Sequence, residues 1–323
     1  MRMPARVTCA ILLSCCWLVP VMTGGGSKAL RPDALSTYGF DPSTALESRI
    51  GETPAAVLKE FKDTGLTPTA YVLTAVERQK VSNAFATLPP LNQRILRERL
   101  RSVSFLDGMP NTALTSPANP DDPHRLFDIT IRAGILHQNV SEFLTQKERT
   151  CFETANSSFN VSIQGGKLDA IVYVLLHEST HIVDGILHIT PEIGRGNGPD
   201  KFSATSFTEG VWIGRTTHAP KYQNTLLESA RFYADGKVLS IDQAEAVYTA
   251  LSRTPFVSLY GSNNWYDDLA EFVTWYHLTE KLKQPYQIEI RKEGQVIFGY
   301  EPMRSRLVRS RFDQMKKIYE GEQ

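Results

Sequence analysis

Cysteine is scarce in this 323-residue chain, and what there is lies mostly at one end. Cys9, Cys15 and Cys16 fall in the opening segment, and Cys151 is the only other one. If that segment is removed, no internal disulfide can form, so stability has to come from a hydrophobic core, which this length permits. Cys151 has no neighbour that would mark it as a nucleophile and reads as a buried structural thiol. Net charge is missing too: 35 basic residues cancel 35 acidic ones. That balance excludes recruitment of nucleic acid or an anionic membrane by bulk field, and any partner must be recognised by a site. Internal repeats and low-complexity tracts are also absent.

A membrane-spanning run is missing at the start as well. MRMPARVTCAILLSCCWLVPVMTGGGS has a basic beginning, an apolar stretch broken by Pro20, and small residues from Gly24 to Ser27. The stretch falls short of the roughly 20 apolar residues a span needs and has the layout of an export signal, residues 1–26, leading to a periplasmic or extracellular location. Cleavage there leaves 33 basic against 35 acidic residues. LLSC, ending at Cys15, offers a second reading as a lipoprotein signal, in which Cys15 would carry a lipid anchor to the membrane. The apolar CWLVPVM that follows, where a polar tether is usual, argues against it.

Beyond the signal, two regions are expected: a helical N-terminal segment over 27–90 and a larger domain over 91–323. Helical patterns occur at TPAAVLKEFKDTG, AVERQKVSNAFATL and LNQRILRERLRSV, the last two divided by Pro89 and Pro90. The charges of the third, Arg94, Arg97, Glu98, Arg99 and Arg101, read as a solvated face. SVSFLD and LFDITIRAG read as strands, with a Pro- and Asp-rich loop, NTALTSPANPDDPH, between them. Helices follow at SEFLTQKERTCFE and KLDAIVYVLLHESTHIVDGIL, and then a Gly-rich loop, PEIGRGNGPD. Further helices are expected at TLLESARFYADG, IDQAEAVYTALSR and WYDDLAEFVTWYHLTEKL, a hairpin around Glu293-Gly294, and a basic helix at RLVRSRFDQMKKIY.

The chemistry is concentrated in VYVLLHESTHIVDG. His177 and His181 stand four apart and so share one helical face, presenting two imidazoles to one point. That supplies two protein ligands of a Zn2+ site with an open position. Glu178 lies about 100° round the helix, placed to act as a base toward a metal-activated water. Isolated histidines on a surface helix would produce the same pattern by chance, but this helix is apolar on every side of them. Unligated imidazoles and a carboxylate would be costly there, and a metal supplies the missing partner.

The motif and its uncharged flanks resemble the HExxH zinc metallopeptidases. The resemblance implies an α+β, zincin-like fold: a small twisted sheet, the active-site helix behind it, and a helical C-terminal lobe that delivers a third ligand. The metzincin continuation is missing from IVDGILHITPEIG, and His188 lies too far along the helix to reach the same ion. In gluzincin-like members a glutamate from a later helix completes the site. Here the candidates are Glu209, Glu228 and Glu271, with Glu271 favoured because FVSLYGSNNWYDDLAEFVTWYHL resembles the ligand-bearing stretch of such families. The aspartate four residues after the glutamate in thermolysin-like members is replaced by Trp275.

Asp267 and Asp268 could hydrogen-bond a ligand histidine or cap the helix, and Asp184 could orient His181 or serve as a cap. Tyr260 and His218 are candidates to donate to an oxyanion. LFDITIRAG is expected along the cleft edge, pairing with an extended substrate. The activity implied is hydrolysis of a peptide or protein substrate with Glu178 as base, and no nucleic acid is expected as partner. A zinc hydrolase of a non-peptide amide in the cell envelope, and a zinc-stabilised binding protein without turnover, remain as rivals.

Overall fold

Helices and small separate sheets are assembled in an α+β arrangement. The structure, a computed structural model, describes residues 38–118, 125–154, 157–192, 202–230, 232 and 238–319. The expected export segment, with Cys15, and most of the Gly-rich loop lie outside these described residues. The first half contains helix α1 (Ala55–Asp63), strand β1 (Thr69–Ala70), α2 (Ala75–Thr87), α3 (Pro90–Arg99), strands β2 (Leu100–Asp107), β3 (Ala113–Pro117) and β4 (Phe127–Arg132), and α4 (Val140–Arg149). Then come β5 (Phe152–Glu153), β6 (Phe159–Gln164), α5 (Ala170–Leu187), β7 (Trp212–Gly214), β8 (Thr217–His218), α6 (Thr225–Ser229), β9 (Leu239–Ser240), α7 (Ala244–Ser252), α8 (Trp265–Tyr276), β10 (Gln287–Lys292) and β11 (Gln295–Tyr300).

Local chemistry accounts for the main boundaries. Thr74 with Glu77, and Asn139 with Glu142, form capping boxes that start α2 and α4. Pro90 opens α3, where a missing N–H costs nothing. That helix stops at Arg99, earlier than its pattern suggests, because Leu100 already pairs with Phe127 as β2 begins. Its charges are not all solvated. Arg99 is buried, and Arg101 makes two hydrogen bonds to the buried Asp128.

The largest sheet has the order β1-β2-β4-β3, with β2 and β4 parallel and the other pairs antiparallel. This corrects the expectation for LFDITIRAG. β4 is flanked on both sides and has no free edge for a substrate. The edge strand beside it is β3, drawn from the segment read as a loop, and β1 forms the other edge. β6 was not anticipated either, although Phe159, Val161 and Ile163 alternate; it pairs with β10 of the β10–β11 hairpin.

α5 is the core element. It is long and apolar enough to cross a membrane by composition, but 78% of it is buried inside the fold. α2, α3, α4 and α8 pack around it, and one continuous apolar cluster joins them. Small residues permit that approach: Ser179 and Thr180 lie under α3, where Asn92 donates to Ser179 Oγ at 2.8 Å. Two expected helices are cut short or broken. The one at TLLESARFYADG ends at Ser229, its remainder lying mostly outside the described residues, and residues 306–319 form separate short turns.

Candidate metal centre

The middle of α5 presents His177 and His181 to α8. Their Nε2 atoms are 3.2 Å apart, and Oδ1 of Asp267 lies 3.4 Å from the first and 3.6 Å from the second. Three ligand-type atoms thus converge on one point, from two buried residues and one half-buried one. Asn264 Nδ2 donates to the other oxygen, Oδ2, of Asp267 at 2.7 Å, fixing which oxygen faces the histidines. Asn264 also caps α8 through Tyr266 N and Asp267 N, so the cap is this asparagine and not the acidic pair that follows it.

Glu271 is brought to the same cluster, on another side. Its Oε1 lies 3.0 Å from Nδ1 of His177, the nitrogen that faces away from His181. The N–H is directed off that oxygen, so the contact is a close ionic one and not a well-aligned hydrogen bond. Tyr173 donates to Oε1, and Ser258 Oγ donates to Oε2 at 2.6 Å. Gly261 lets the 258–264 loop lie this close to α8: a Cβ there would stand 3.3 Å from both Glu271 Cβ and Ser258 Oγ.

The electrostatics of the metal-free cluster follow from burial and these neighbours. Burial pushes the Glu271 carboxyl up, but the Lys147 charge, His177 and the Ser258 donor outweigh it and hold the group at about 2. Burial also pulls His177 down, and the carboxylates of Asp267 and Glu271 reverse this, raising it to about 9. His181 is lowered, first by burial and then by the charge on His177. One proton is therefore shared unequally by two imidazoles, and a cation can replace it.

Glu178 neighbours both imidazoles. Thr115, on the edge strand β3, donates to its Oε2 at 2.6 Å. Thr115 was missed in the sequence, where nothing marks a threonine in a Pro-rich stretch as a partner of the motif. Tyr260 is at the site, its ring centroid 5.7 Å from that of His177.

Other candidates are elsewhere. His218 is buried against Trp212 and Phe256, with Nε2 2.7 Å from the carbonyl of Ser262 and Nδ1 turned toward Glu228, so it braces a loop and cannot meet an oxyanion. Glu209 is exposed in a turn. Asp268 faces away from its neighbour Asp267 and is fully buried, accepting from Arg311 at 3.0 and 2.7 Å and from Trp212 Nε1 at 2.9 Å. Asp184 accepts from the backbone and hydroxyl of Thr190 instead of orienting His181. His188 sits past the end of α5 in a left-handed conformation, beside Glu192. Cys151 is buried, and burial pushes its thiol well above the ordinary range.

Compared with known proteins, the chain matches no family model, no curated sequence and no solved structure.

Proposed function

We propose that this chain is a zinc-dependent hydrolase of zincin-like architecture, and more particularly an exported metallopeptidase. The carrying observation is the triangle of His177 Nε2, His181 Nε2 and Asp267 Oδ1, with edges of 3.2, 3.4 and 3.6 Å. Ligand atoms about 2.0–2.1 Å from a tetrahedral zinc stand about 3.3–3.4 Å apart. The donor set fits the ion in spacing, in chemistry and in burial. Asp267 takes the position of third ligand, and Glu271, 3.0 Å behind the ring, steadies His177 through its charge; a small turn of the imidazole would align the carboxylate–histidine pairing that recurs around zinc. This differs from the expectation that Glu271 itself binds the metal.

Bound there, zinc supplies Lewis acidity toward a water and a scissile carbonyl. Glu178 then accepts a proton from the attacking water and returns it to the leaving amine. Thr115 holds one oxygen of Glu178 and leaves the other for that transfer. Tyr260, whose ring neighbours that of His177, is the candidate donor to the developing oxyanion.

The test counts zinc per chain and follows cleavage of an unfolded protein with and without a chelator. One zinc per chain and chelator-sensitive cleavage are expected. Glu178→Gln should keep the metal and lose about 10² to 10⁴ in rate. Stoichiometric zinc without cleavage of any peptide would turn the reading toward a non-peptide amide or a binding protein, and no zinc at all would overturn it.

A further inference from the structure

We infer that Lys147 forms a subsite for a substrate carboxylate beside the metal cluster. The inference rests on the hydrolytic reading above and adds a substrate class to it. Lys147, on α4, is only 6% exposed. Its ammonium stands 3.4 Å from the ring centroid of Tyr260, with the rings of Phe232 and Tyr173 at 5.7 and 5.9 Å. Aromatic faces balance its charge but accept none of its N–H donors in the way an oxygen does. Among the described residues it forms no hydrogen bond or ion pair, and its Nζ is not fully enclosed, so its N–H donors are left to water or to an incoming acceptor.

The neighbouring carboxylates do not fill that role. Glu271 spends its oxygens on Tyr173, Ser258 and His177, and Glu148 accepts from Tyr248. A partly open, water-sized pocket is lined by Lys147, Tyr173, Ser258, Tyr260 and Glu271. One carboxylate oxygen fits a space of that size. The same Tyr260 ring that Lys147 covers also neighbours His177, so the ammonium lies one tyrosine ring away from the metal cluster. To reach it, a residue next to the scissile bond would have to enter past the edge of that ring. The incoming group would bond the ammonium directly, at a shorter range than the engaged Glu271, so attraction outweighs repulsion.

Such a carboxylate can come from an aspartate or glutamate side chain or from a peptide C-terminus. Quenched peptides carrying Glu or Gln at each position around the cleaved bond, with free or amidated ends, separate the two. At one position, or at the free end, kcat/KM should exceed that of the uncharged counterpart at least about tenfold. Lys147→Met should erase that ratio, which is read between two substrates of one enzyme and so does not depend on how far the variant's overall rate changes. An active wild type indifferent to every carboxylate overturns the inference.

Binding gives a second readout that does not need turnover. In chelated protein, millimolar N-acetylglutamate should raise the unfolding temperature of the wild type more than N-acetylglutaminamide does, and not that of Lys147→Met. Equal shifts with the two compounds overturn the inference even if no peptide is cleaved. If Lys147→Met fails to fold, the two wild-type comparisons decide.

Discussion

Nδ1 of His177 lies 3.0 Å from Glu271, while Nε2 of the same ring faces His181 and Asp267. One imidazole is thus held between two carboxylates on a single helix, and the two do different jobs. Asp267→Ala should remove a ligand and abolish stoichiometric zinc at nanomolar free metal. Glu271→Gln should weaken zinc only about 10- to 100-fold, as the loss of an orienting partner does. Competition titration with a chromophoric chelator measures both. A larger loss at Glu271 than at Asp267 would exchange the two roles.

Thr115 should matter for turnover and not for substrate or metal binding. Thr115→Val keeps the shape of the side chain and removes the donor to Glu178, which a hydrogen bond to a charged group makes worth about tenfold or more in kcat. KM and zinc content should stay unchanged, and Thr115→Ser should restore the rate. A change in KM with kcat intact would make the threonine a substrate contact.

Two buried carboxyls should each contribute a loss of stability to the metal-free protein as pH rises toward neutral. Burial raises Glu148 to about 7, and raises Asp184 to about 6. Each folded value lies above its ordinary one, so the folded chain holds the proton more tightly than the unfolded chain. Their contribution is complete in acid and is lost as pH climbs through the folded value. Glu148→Gln keeps an acceptor for Tyr248 and should flatten the part of the slope between about pH 5 and 7.5, leaving the part due to Asp184. Glu271 acts in the opposite sense in a separate range: held at about 2, it contributes above the ordinary carboxyl range and is lost on further acidification. Urea unfolding in chelator at several pH values reads all three. Histidines lowered by burial, His181 among them, act in the opposite sense over the same range, so the wild-type slope alone does not decide; a Glu148→Gln slope equal to that of the wild type would contradict the Glu148 assignment.

Arg311 is 7% exposed and meets Asp268, which is wholly buried, with both terminal nitrogens. Arg311→Met should destabilise the fold by about 3–5 kcal/mol, because it leaves a buried charge unpaired. Adding Asp268→Asn should recover part of that loss. If the double variant is as unstable as the single one, packing of the arginine between Phe207 and Phe272, and not its charge, is what counts.

The candidate metal-binding helix was legible almost in full, because His177, Glu178 and His181 are related by the helix repeat alone. Asp267 and Glu271 were both visible as acids on one helical face. Which of them meets Nε2 and which meets Nδ1 depends on how far α8 is shifted along α5, a packing relation between segments about 90 residues apart. β3 was hidden for a different reason. Its five residues end in a proline and bury only two side chains, so its partner β4 selects it and its own pattern does not. β6 had a usable signal in Phe159, Val161 and Ile163, and Asn264 had one too, as an asparagine just before an acidic first turn.

The pairing of Arg311 with Asp268 also ties the cluster to a distant part of the chain. Asp267 and Asp268 are neighbours on α8, one facing the histidines and the other buried against a guanidinium more than 40 residues further on. Without Arg311 the second carboxylate would be buried beside Trp212 alone, at a cost that favours letting α8 shift away from α5. The position of Asp267 beside the imidazoles is thus held partly by a residue that touches none of them.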